Sequence, residues 1–134
     1  MRVDPAGLEC TVLDRLRKVA ETDGRYALQA YLFVYDALPV AQKLHDRERH
    51  VSGRELLDGI RVLALQRYGR MAKSVLNSWG VKTTDDFGTI VFNLVDSGLM
   101  SKTEEDTVEE FHSVYDFDCA LVDGYRIPDP GSGN

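Results

Sequence analysis

The sequence predicts a mainly helical single domain of about five helices that ends in a β-hairpin resembling a winged helix-turn-helix. Three observations carry this. Apolar residues recur at helical spacing through residues 8–97. Capping chemistry stands before two of those segments, Ser52 with Glu55 and Thr83 with Asp86. Alternation of apolar and polar residues then replaces the helical period between Phe111 and Asp118. A chain of 134 residues falls within the range of one domain and buries about two-thirds of the surface its unfolded form exposes, so neither a disulfide nor a structural metal is required. We place the domain at 1–127, its winged-helix-like part at about 53–118, and a flexible Pro/Gly-rich tail at 128–134.

The first helix is expected over Leu8 to Ala20, with Leu8, Val12, Leu13, Leu16 and Val19 inward, and the turn chemistry of TDGR at 22–25 ends it. The next segment, Tyr26 to Asp46, is apolar almost all round as far as Leu38 and reads as the central buried helix. Pro39 is expected to kink or restart it, because proline lacks the backbone donor and crowds the preceding turn. HDRERH at 45–50 follows. Its two histidines stand five residues apart, a separation that spreads them around a helix, so a solvated or salt-bridged connection outranks a ligand pair.

In VSGREL, Ser52 and Glu55 fit a capping box, and Val51 with Leu56 a hydrophobic staple. The helix they start turns Leu56, Leu57, Ile60, Leu63 and Ala64 inward and stops at Gly69. A shorter helix, Arg70 to Trp79, follows, and after a turn at Gly80 another runs from Thr84 to Ser97 on Phe87, Ile90, Val91, Leu94 and Val95, with Gly98 as its cap. Helix, short turn, helix and hairpin is the order of a winged helix-turn-helix. Phe111, Ser113, Tyr115 and Phe117 alternate as a strand would, although Thr107 and Glu110 also fit the cap of a short helix. Tyr115, Phe117 and Tyr125 are expected to close the core below.

Charge divides the chain. Residues 1–82 hold 14 Lys/Arg and 10 Asp/Glu, residues 83–134 hold 2 and 12, and the whole carries −6. The exposed side of the Thr84 to Ser97 helix offers Asp85, Asp86, Thr89, Asn93 and Asp96, and the segment beyond adds Glu104, Glu105, Asp106, Glu109 and Glu110. A nucleic-acid reader needs Arg, Lys, Asn or Gln there, and carboxylates repel the phosphate backbone. The leading reading is therefore a small non-enzymatic interaction module. In it these acidic residues steer a basic protein partner, and Phe92, off the core stripe, supplies an apolar anchor. Nucleic-acid binding through the basic helices at 47–82, with Arg61, Arg67, Arg70 and Lys73, is the alternative. A third reading places an enzyme or divalent-metal site around His112, near Asp116 and Asp118, but no nucleophile elbow, phosphate loop or second cluster accompanies it.

No cofactor is called for. Cys10 and Cys119 lack metal spacing and are expected to be reduced and mostly buried. The amino-terminal stretch lacks a signal-peptide core and the longest apolar run is broken by Asp36 and Pro39, so no membrane association and a cytoplasmic location are expected. Oligomeric state stays open.

The blocks HVSGRELLDGIR, YGRMAKSVLNSWG, DFGTIVFNLV, GLMSKTEED and VYDFD, in this order, resemble a family of small uncharacterised bacterial proteins described as restricted to Verrucomicrobia and Planctomycetes. The resemblance spans Tyr26 to Ile127. It implies a bacterial source and one domain, and brings no activity, cofactor or site residue with it.

Overall fold

The computed structural model describes residues 2–3, 9–48, 50–103 and 106–123. The flexible tail expected at 128–134, Leu8 and Tyr125 lie outside them. In chain order the elements are a two-residue strand β1 (Arg2–Val3), then α1 (Glu9–Asp23), α2 (Leu28–Leu44) and α3 (Gly53–Tyr68). A 3-10 turn (Gly69–Met71) leads into α4 (Ala72–Ser78), followed by α5 (Thr84–Asp96), β2 (Met100–Ser101), a second 3-10 turn (Val108–Phe111) and a π-helical turn (Asp118–Asp123). The described residues are mainly helical and form five α-helices, as the sequence predicts.

α2 is the central helix. Ala30, Tyr31, Phe33, Val34, Ala37, Leu38 and Ala41 are all buried along it. Its tightest neighbour is α3, where Gly59 meets Ala41: a Cβ on Gly59 would stand 2.6–2.8 Å from three Ala41 atoms, two of them backbone. α2 continues through Pro39 rather than restarting there. Pro39 is exposed, so the hydrogen bond it deletes falls on the solvent side of the helix. A second departure is Leu13, which is 38% exposed while Leu16 and Ala20 carry the buried stripe of α1.

The caps form as expected. Ser52 Oγ accepts from Glu55 N (3.1 Å) while Glu55 Oε1 accepts from Ser52 N (2.8 Å), above the buried staple residues Val51 and Leu56. Glu55 also takes Arg47, and His45 lies 3.1 Å from Asp58, so the HDRERH connection is salt-bridged onto α3 rather than merely solvated. At the start of α5 one oxygen of Asp86 accepts from the backbone of Lys82 (2.8 Å) and Thr83 (3.2 Å). α4 and α5 both end in Schellman turns on left-handed glycines. Val81 N donates to Leu76 O and Gly80 N to Asn77 O at φ +91°, and Leu99 N donates to Leu94 O and Gly98 N to Val95 O at φ +84°.

Among the described residues the expected wing hairpin is not formed. There β2 pairs with β1 instead, antiparallel, in the register Arg2 to Ser101 and Val3 to Met100. The Phe111 to Asp118 stretch forms no strand. Thr107 N donates to Glu110 Oε1 (3.2 Å), which tips residues 108–111 into the 3-10 turn. Phe111 then enters a slot between Gly53 of α3 and Gly88 of α5, where a Cβ on either glycine would stand 2.8–2.9 Å from its ring or Cβ. Farther on Phe117 is buried against Phe87 and the Tyr115 hydroxyl donates to Leu57 O (2.9 Å), so these aromatics do close the core. With Phe117 and Leu121 taking the inward positions, Cys119 is exposed and not buried as expected.

Candidate interaction surface

Asp85, Thr89, Phe92 and Asp96 stand at i, i+4, i+7 and i+11 on α5, which sets them along one outer ridge of the helix. Asp85 and Asp96 are exposed, Thr89 and Phe92 half-buried. The Phe92 ring meets Phe111 edge-on with centroids 6.3 Å apart, so Phe92 anchors its own chain and holds the Val108–Phe111 turn beside the ridge.

Asp85 ties that turn down at its far end. One carboxylate oxygen accepts from Ser113 N (3.0 Å), and the other lies 3.0 Å from His112 Nδ1, a contact that requires the proton on that nitrogen. Ser113 adopts φ +48° there, and Val114 N donates to the buried Thr84 hydroxyl (3.1 Å). His112 thus pairs with Asp85. Asp118 instead bonds Lys73, and Asp116 accepts from Asp118 N (2.7 Å), which leaves the His112, Asp116 and Asp118 grouping unformed. Among the described residues no three His, Cys, Asp or Glu are placed to hold a metal ion.

Several candidate carboxylates and amides serve the fold. Asp86 caps α5 and accepts from the Tyr26 hydroxyl (2.6 Å); burial together with Asp86 pushes that phenol up to about 12. Glu110 accepts from Gly53 N (3.1 Å) and so caps α3 from 57 residues away. Asp106, only 7% exposed, accepts from Thr103 N (2.9 Å), and Asn93 donates to the Tyr31 hydroxyl (3.0 Å). Glu104 and Glu105 lie outside the described residues. Glu109 remains exposed, and next to it Val108 is 51% exposed. The sequence reading passed over Val108. The signal was the Thr107 cap, which makes Val108 the first residue of the turn and directs it away from the core that Phe111 enters.

Two of the basic candidates of the amino-terminal half are engaged in ion pairs. Arg67 pairs with Asp36 (3.1 Å) and lies over the Phe33 ring, Lys73 bonds Asp118, Arg61 is half-buried, and Arg70 is exposed on the first 3-10 turn. The pairs Asp14 with Arg17, Asp23 with Arg25, and Glu55 with Arg47 also lie inside residues 1–82, and Lys73 with Asp118 joins the two halves. Among the described residues of the acidic half, Asp85, Asp96, Glu109, Asp116 and Asp118 stay exposed.

No protein-family model, curated protein or solved structure shows significant similarity to the chain. No described helix is long and apolar enough to cross a membrane.

Proposed function

We propose that this protein is a non-enzymatic interaction module that binds a basic segment of a protein partner on the α5 ridge and the adjoining Val108–Phe111 turn. The observation that carries the reading is the half-exposed Val108 beside the exposed Glu109, on a turn whose Phe111 packs against the α5 ridge that exposes Asp85 and Asp96. An exposed apolar side chain next to a carboxylate suits a partner that is first drawn in by charge and then held by burial of Val108. The nucleic-acid reading gains nothing comparable, since Arg67 and Lys73 spend their charge on Asp36 and Asp118.

The test is capture of partners from a lysate of the host, with and without nuclease, using the wild-type chain and a Val108→Ser, Glu109→Gln, Asp96→Asn variant. Those three side chains leave the capping contacts of Asp85, Asp86, Asp106 and Glu110 in place. A basic protein retained after nuclease, released by salt and lost with the variant supports the reading. Recovery of nucleic acid, or of the same proteins by wild type and variant alike, refutes it.

A further inference from the structure

A groove of about 600 Å³ runs between α1 and α5, a size typical of small-molecule sites. Two contacts set the direction of its walls. Arg15 Nη2 donates to Ser97 O (2.6 Å) at one end, and toward the other the Tyr31 hydroxyl joins Asn93 to Asp23 (3.0 and 3.5 Å), so the helices run antiparallel along it. Lys18 and Asp96 fall between these points, on opposite walls.

The groove differs in kind from the acidic ridge beside it. Its α1 wall carries Arg15, Lys18, Val19, Thr22 and Asp23, the last paired with Arg25 (2.8 Å), and its α5 wall Asn93, Asp96 and Ser97. Arg15 is half-buried and held over Gly98, where a Cβ would stand 3.0 Å from Nη2. The Ser97 carbonyl uses one donor of a guanidinium that has five. Lys18 and Asp96 are both exposed, and among the described residues neither is in an ion pair. A groove with Arg15, Lys18 and the apolar Val19 on one wall, where the Asp23 carboxylate is already paired with Arg25, and Asp96 on the other matches a ligand that carries both charges. A bare anion would meet Asp96 and a bare cation would meet Arg15 and Lys18, each at a cost.

We propose that this groove binds a small zwitterion of the α-amino-acid type. Its carboxylate lies against Arg15 and Lys18, its ammonium group against Asp96, and its side chain along Val19. The groove shares Asp96 with the partner surface but not Val108 or Glu109, so a Val108→Ser, Glu109→Gln variant that keeps Asp96 separates the two.

The experiment follows the amide resonances of the isotope-labelled full chain during titration with L-leucine, with 4-methylpentanoate, which lacks the amine, and with 3-methylbutylamine, which lacks the carboxylate. Leucine is expected to shift amides within 15–19 and 93–97, with each single-charge analogue weaker by about tenfold or more. Lys18→Ala and Asp96→Asn change exposed side chains, leave the fold intact, and are each expected to weaken leucine by a similar factor. The proposal is overturned by an absence of groove shifts with leucine and with L-amino acids of polar and charged side chains at about 10 mM, roughly ten times a millimolar dissociation constant. Carboxylate binding as tight as leucine, or undiminished binding by both variants, overturns it equally.

Discussion

Gly88 and Phe111 are in such close contact that a Cβ on the glycine would stand 2.9 Å from the Cβ of the phenylalanine. The acidic segment after β2 therefore belongs to the core through one ring, and Glu110 next to that ring caps α3. Phe111→Ala is expected to destabilise the fold by about 3–5 kcal/mol, as for a fully buried aromatic that leaves a cavity. Urea unfolding monitored by circular dichroism measures it, and a loss below about 1 kcal/mol would show that the segment is not docked as described.

The α2 and α3 contact makes a second test. Gly59→Ala pushes a methyl group against the backbone of Ala41, which has no side-chain freedom to yield, and is expected to cost about 1–3 kcal/mol despite the gain in helix propensity. The same change at an exposed helical site stabilises, so the sign of the shift in unfolding midpoint decides.

Stability should fall in alkali. Burial raises the Tyr115 hydroxyl strongly, and burial with Asp86 raises Tyr26 to about 12. A phenol raised above its unfolded value of 10.0 contributes stability that is complete below pH 10 and lost as pH climbs toward the folded value. Urea midpoints between pH 9 and 12 should therefore decline, and Tyr26→Phe should flatten the decline; an unchanged slope in that variant contradicts the Tyr26 to Asp86 bond.

In acid the sign reverses. The Ser52 backbone donor, aided by Arg47, holds the Glu55 carboxyl below its ordinary value of 4.5. The unfolded chain takes up that proton more readily, so the cap's contribution is present above about pH 4.5 and is lost as pH falls through the depressed value. Glu55→Gln should be less stable at pH 7 and show a shallower acid decline, and parallel curves for the two proteins would deny Glu55 its part.

The helical part of the fold is legible because its signals are local. Ser52 with Glu55, and Thr83 with Asp86, announce helix starts within four residues, and the stripe from Phe87 to Leu94 is buried as its spacing predicts. The wing failed for the opposite reason. Period-two alternation from Phe111 to Phe117 is also produced by a looping segment that inserts an aromatic at each end, and what selects the loop is remote: Gly53 and Gly88 shape the slot, and Thr84 and Asp85 supply acceptors 28–30 residues away. The partner of β2 was hidden likewise, since Arg2 and Val3 stand about a hundred residues before it. At the candidate surface the charges were visible in the sequence, but which of them are consumed as caps was not. Asp86 shows its role locally, whereas Glu110 caps a helix that begins 57 residues earlier.

The pairing of β1 with β2 also orders events during synthesis. Arg2 and Val3 are made before α1, yet their partners Met100 and Ser101 are made only after α5. At roughly 5–20 residues per second this leaves β1 without its mate for about 5–20 s, while α2 and α3 already have each other to fold against. The little sheet is thus a late fastening, added to a helical body assembled before it.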